Sequence, residues 1–165
     1  MAVYTKINQK EINTINENFN IEKIVSFKGI KQGIENTNYL LRSKKRKYIL
    51  TIFEKRVLPK EIPFFMKLMD KLNNSKINCP KPLKTKKNKY LIKLKNKTAC
   101  IVSFLEGKDK KILKTNDCYA IGKTIGRMHV VTKKIKLHRK NSMGVRNLKP
   151  LLESIKFKSK KFSNL

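Results

Sequence analysis

A chain of 165 residues with 39% hydrophobic side chains is long enough for one domain with a hydrophobic core, and its apolar residues recur in ordered patterns unlike those of a disordered protein. Lys and Arg number 41 against 11 Asp and Glu, a formal charge of +30 that by itself points to a polyanionic partner. The opening Met1-Ala2-Val3-Tyr4-Thr5-Lys6 lacks an apolar signal-peptide core, and no apolar run approaches the roughly 20 residues of a membrane span, so the chain reads as cytoplasmic with no membrane partner.

The basic residues are scattered over nearly every segment instead of forming one stripe. Arginine, the usual base-reading side chain, is scarce. Asn and Ile, which accompany Lys when coding sequence is AT-rich, are abundant. Compositional drift is therefore the favoured account of the charge, and a basic nucleic-acid-binding module stays open as the alternative. Cys79, Cys100 and Cys118 are odd in number and far apart, which suggests neither a zinc site nor a disulfide framework.

Along the chain, Asn8 stands three residues before Glu11 as in a capping box, with Ile7, Ile12 and Ile15 on one side of a short helix. A strand from Ile24 to Ile30 leads into the glycine-bearing turn Lys31 to Asn38 and a second strand at Tyr39-Leu40-Leu41. After the turn Ser43-Lys44-Lys45-Arg46, residues Tyr48 to Phe53 are apolar on both faces and predict a buried strand. Pro59 and Pro63 fit only at or before the first turn of the next helix. In that helix Phe65, Leu68, Met69 and Leu72 form an apolar stripe, and Asn73 and Asn74 end it. Cys79-Pro80-Lys81-Pro82 forces an extended return. Strands at Tyr90–Leu94 and Ala99–Leu105, joined by a Lys95-Asn96-Lys97 turn, complete a five-stranded sheet in which the last strand is central. Glu106-Gly107 breaks it. A helix capped by Thr115 or Asn116 then carries Cys118, Ile121, Gly122, Ile125, Met128 and His129 on one face. A basic loop, Lys133 to Lys140, and a short helix around Leu148 to Ile155 follow, and the tail from Lys156 has no clear pattern. The predicted class is α+β: residues 1–105 form a first lobe, an antiparallel sheet plus helix, and residues 106–165 begin a helical region, the two meeting near Leu105.

The element order matches the small lobe of the protein-kinase-like folds, and local sequences sharpen the match. Ser26-Phe27-Lys28-Gly29-Ile30, Gly33 to Leu41, Tyr48 to Val57, Pro63-Phe64-Phe65, Cys79 to Pro82 and Ile101-Val102-Ser103-Phe104-Leu105-Glu106-Gly107 resemble the homoserine kinases of the aminoglycoside phosphotransferase and choline kinase superfamily. The resemblance covers about residues 1 to 155. It implies ATP and L-homoserine as partners and magnesium as the metal. It also implies that Gly33, Asn36 and Asn38 belong to the loop covering the nucleotide phosphates, and that Ser103, Phe104 and Leu105 form the adenine-binding hinge. Thr51 falls where a typical kinase has the phosphate-pairing lysine, and Phe65 where it has the partner glutamate. Lys47 and Lys55 are candidate replacement cations, although exposed lysine is the more economical reading of each. His129 corresponds to a histidine that orients the catalytic loop.

Such kinases also need an H-x-D-x-x-x-x-N loop and a later metal-binding Asp. Val131 and Lys140 stand two residues after His129 and His138, no Asp follows Asp117, and Glu153 is the only later Glu. No residue of this chain is therefore expected to be catalytic or to bind metal. The reading is the first half of a homoserine kinase, inactive as this chain alone, either a truncation or one part of a split enzyme. A non-catalytic kinase remnant is a further alternative.

Overall fold

The computed structural model describes residues 3–55, 57–141 and 144–162, with positions 151, 154 and 156–162 described by backbone alone. Helix α1 (Gln9–Asn18) opens with the expected reciprocal cap. Lys10 N donates to Asn8 Oδ1 at 2.9 Å, and Asn8 N donates to Glu11 Oε2 at 2.8 Å. The five strands are β1 (Ser26–Gly29), β2 (Thr37–Arg42), β3 (Lys47–Ile52), β4 (Leu91–Leu94) and β5 (Lys97–Ser103). They pair entirely antiparallel in the order β1-β2-β3-β5-β4.

Period-2 alternation decides what each face of the sheet touches. Tyr39, Leu41, Tyr48, Leu50, Ile52, Ala99 and Ile101 face α1, where Ile12, Ile15 and Phe19 close the larger core. Cys100 and Val102 face the opposite way, toward α2 (Ile62–Asn74), and meet Ile62, Met66, Phe65 and Met69. Of the predicted stripe on α2, Phe65 and Met69 thus pack toward β5 and Leu72 is buried, while Leu68 lies outside both cores; Ile62 and Met66 extend the buried side.

Several boundaries differ from the sequence reading. β1 is shorter than Ile24–Ile30, although Val25 and Ile30 still donate to Arg42 and Asn38 of β2. Lys97 belongs to β5, and the turn tightens to Lys95 and Asn96, both with positive φ (50° and 61°), which matches a two-residue hairpin. β5 ends at Ser103, so Phe104 and Leu105 lie beyond it. It is interior, but the middle strand is β3. The Pro80–Pro82 return runs beside β5, where Pro82 bridges Val102.

Helix α3 (Thr115–Thr132) is capped at Lys114, not at Thr115 or Asn116, because the Asp117 carboxylate reaches back to accept from Lys114 N at 3.1 Å. Its expected apolar face is largely exposed: Ile121 and Ile125 are 47% and 44% accessible, and only Met128 is half-buried. Helix α4 (Val145–Phe162) is longer than the expected short helix and takes in most of the tail. Among the described residues no helix is long and apolar enough to cross a membrane.

Candidate functional site

On the α2 side of the sheet, side chains from successive strands line up in rows. One row is Lys28, Leu40, Ile49 and Val102, paired in register across β1, β2, β3 and β5. The next contains Asn38, Thr51 and Cys100. Val102 and Cys100 are roofed by the α2 core, whereas Leu40 and Ile49 are half-buried and belong to neither core cluster. Helix α2 therefore covers one end of this face and leaves an apolar strip open over β2 and β3. Two half-buried aliphatic side chains beside polar groups can take a flat ring.

One edge of the strip is the Asn38–Thr51 pair, where Thr51 Oγ1 donates to Asn38 Oδ1 at 2.8 Å across the strands. With its carbonyl oxygen engaged, the Asn38 side chain keeps its NH2 group, a two-proton donor. Asn36 is turned the other way, its Oδ1 accepting from Glu54 N at 3.3 Å. Gly33 has φ of 105°, a left-handed conformation that side chains rarely adopt, within the exposed loop joining β1 to β2.

The other edge is the end of β5. Ser103 N donates to Lys81 O at 2.9 Å, and Lys81 N donates to Ser103 Oγ at 2.8 Å. The serine hydroxyl oxygen thus accepts the hydrogen bond that the Ser103 carbonyl would accept in a regular ladder, leaving that carbonyl unused by Lys81. Phe104 N donates to Lys47 O at 3.3 Å, which fixes Phe104 at the end of β3, and Leu105 is 40% exposed. Thr51 and Tyr48, the β3 partner of Ser103, are three residues apart on one strand, so the two edges are separated by about 10 Å.

The two candidate cations fall elsewhere. Lys47 Nζ lies 5.1 Å from the Phe104 ring centroid and 2.8 Å from Glu106 Oε1, at the start of β3. Lys55 is exposed, beside a hollow of about 380 Å³ also lined by Tyr4, Ile34, Glu35, Glu54 and Lys97. Phe65 packs in the α2 core, with the Arg139 guanidinium 5.1 Å from its ring and paired to Glu61 at 2.8 Å. His129 is exposed on α3. Among the described residues no group of three His, Cys, Asp or Glu side chains could hold a metal ion.

A cluster that sequence reasoning missed surrounds Glu54, whose side chain is 9% accessible. Its Oε1 accepts from Thr5 Oγ1 and Thr37 Oγ1, both at 2.7 Å, and its Oε2 accepts from Lys97. Burial raises the Glu54 pKa, but the hydrogen bonds from Lys97, Thr37 and Thr5 and the lysine charge outweigh it and hold the group below its ordinary value. The one sequence signal was a carboxylate closing an apolar strand in a chain poor in acids.

Comparison with known proteins agrees with this architecture. Residues 26–153 match the model of the phosphotransferase enzyme family, APH. The chain belongs to that family. It is 40% identical over 156 residues to the homoserine kinase of Paramagnetospirillum magneticum, covering 94% of this chain and 48% of that protein. It is 37% identical over 154 residues to the homoserine kinase of Parvibaculum lavamentivorans, covering 93% of this chain and 48% of that one. It therefore spans about half the length of these relatives. Spectinomycin phosphotransferase APH(9)-Ia, solved with ADP and spectinomycin, superposes with a TM-score of 0.62 at 15% identity over 84% of this chain and 44% of that one. A microcompartment-associated aminopropanol kinase gives the same TM-score at 12% identity over 82% of this chain and 45% of that one. These two likenesses support the fold alone.

Proposed function

We propose that this phosphotransferase-family chain carries the nucleotide-holding part of an ATP-dependent homoserine kinase, which transfers the γ-phosphate of ATP to the side-chain hydroxyl of L-homoserine. The observation that carries the nucleotide reading is the open strip of Leu40 and Ile49 between two polar edges. The adenine ring lies against Leu40 and Ile49, and its edge is read by the Ser103 carbonyl and the backbone of Phe104 and Leu105. The phosphates lie toward Asn38 and Thr51, under the loop that contains Gly33 and Asn36. Residues 1–105 act as the small lobe, and residues 106–165 begin the helical one. The homoserine assignment is supported by the 40% and 37% identical relatives.

ATP supplies the phosphoryl group, and the chain's own residues bind and orient it. Backbone and amide N–H groups near Gly33 and Asn38 are suited to phosphate oxygens. Abstraction of the acceptor hydroxyl proton needs a carboxylate near the γ-phosphate. After Asp117 the sequence offers only Glu153. The 165-residue chain by itself is therefore a nucleotide binder without turnover.

Calorimetric titration with ADP tests this. The expected outcome is weak binding, of the order of 0.1–1 mM or about −5 kcal/mol, which Ile49→Glu abolishes without unfolding the chain. Absence of ADP binding would overturn the nucleotide reading. Formation of phosphohomoserine by the purified chain would overturn the absence of turnover.

A further inference from the structure

The loop between β1 and β2 is tied down from outside the proposed nucleotide face. Tyr4 OH donates to the carbonyl of Ile34, next to Gly33, at 3.0 Å. Tyr4 N and Thr5 N both donate to Thr37 Oγ1, at 3.0 and 3.1 Å. Thr37, fully buried, is the first residue of β2 and so the root of the loop. The contacts at Thr5 and Thr37 converge on Glu54. Its carboxylate receives Thr5 and Thr37 on one oxygen and Lys97 on the other, and its backbone N–H donates to Asn36. Lys97 Nζ also donates to Thr5 Oγ1 at 2.8 Å. One side chain thereby joins the N-terminal segment, the loop root and the first residue of β5.

A carboxylate nine-tenths buried is tolerated only when paired and hydrogen-bonded, and removing one partner leaves the others unsatisfied. An apolar residue packed there would leave Thr37 Oγ1 without its acceptor and the loop root untied. The apolar strip and the hinge, in contrast, make none of these contacts.

We infer that Glu54 is a positioning residue for the 30–36 loop. It holds that loop in place over the nucleotide phosphates through Thr37, Asn36 and the N-terminal segment, without touching the nucleotide. The phosphate part of this inference rests on the nucleotide reading above. The positioning of the loop does not.

Two measurements on the full 165-residue chain test it, with Glu54→Gln and Thr5→Val. Thr5→Val keeps the side-chain shape and deletes the hydroxyl that donates to Glu54, so it tests the same network if the Glu54 variant does not fold. In amide hydrogen exchange, residues 33–37 are expected to exchange about tenfold faster in Glu54→Gln, and a few-fold faster in Thr5→Val, while the β3 amides of residues 49–52 stay unchanged. No change at the loop, or an equal rise in β3, overturns the inference. In competitive titrations Glu54→Gln is expected to weaken ADP about tenfold, equivalent to about 1.4 kcal/mol, and to leave adenosine unchanged. Equal losses for both ligands would make Glu54 merely structural. If the unmodified chain bound neither ligand, the nucleotide reading would fall, and exchange at residues 33–37 would still decide whether Glu54 positions the loop.

Discussion

Two carboxylates, Glu11 and Glu54, are largely buried and held ionised by the fold. Burial raises the pKa of each. At Glu11 it is outweighed by the Asn8 backbone N–H and Lys95, and at Glu54 by the hydrogen bonds from Lys97, Thr37 and Thr5. Both groups end below the ordinary value of 4.5. The sign follows from proton linkage: a depressed folded pKa contributes stability that is complete above the unfolded value and is lost as pH falls through the folded one. The melting temperature is therefore expected to hold down to about pH 5 and to fall below it. In Glu54→Gln that acid fall is expected to be shallower, starting from a lower plateau. A variant whose acid fall parallels the parent's would show that Glu54 does not carry it. Thermal melts across the acid range distinguish the two.

Among the elements, α1 is the most completely specified by local sequence, because its cap satisfies two otherwise unpaired backbone donors within one turn. Asn8→Ala is expected to cost about 1 kcal/mol and to lower the melting temperature by several degrees. A change within experimental error would mean that Ile12, Ile15 and Phe19 anchor the helix without help from the cap. The β4–β5 hairpin is likewise local, since Lys95 and Asn96 both take the left-handed conformation that a two-residue turn requires. Helix α3 stands at the other extreme. Its Asp117 carboxylate secures the first turn, but its long axis contributes little buried apolar surface, and its main neighbour is α2.

For the molecule as a whole, packing is uneven along the chain. The sheet, α1 and α2 enclose two cores, whereas Ile121 and Ile125, neighbours one turn apart on one face of α3, are 47% and 44% exposed. Such a face associates with itself or with other apolar surface. Replacing Ile121 and Ile125 together by Lys is expected to reduce self-association in sedimentation velocity. Because neither side chain is buried, stability should change by no more than about 0.5 kcal/mol. A large loss of stability would instead mean that this face packs within the molecule.

How much of this could be read in advance depended on how local the cause was. The α1 cap, the strand alternation and the proline-bounded start of α2 depend on residues a few positions apart. All three were legible, as was the succession of motifs that placed the chain among phosphotransferases. The kinase-like small-lobe fold followed from the same succession. Element ends were less legible where a side chain reaches back along the chain, as Asp117 does to Lys114, or where helical backbone continues through a patternless lysine-rich tail in α4.

The candidate site was legible only in part. Sequence singled out Gly33, Asn36, Asn38, Thr51 and Ser103 to Leu105 as candidates, but not their contacts. Only strand pairing brings Asn38 to Thr51, leaves Leu40 and Ile49 uncovered beside them, and turns the Ser103 hydroxyl onto Lys81 N. Glu54, Thr5 and Lys97 are 43 to 92 positions apart, and no periodicity links them. Sequence by itself thus determined the family, the sheet-forming segments and the shortage of carboxylates after Asp117, because each depends on residue identity and short-range spacing. Tertiary structure decided which face of the sheet stays open and which buried carboxylate ties the loop, because both depend on side chains that meet only after the sheet has closed.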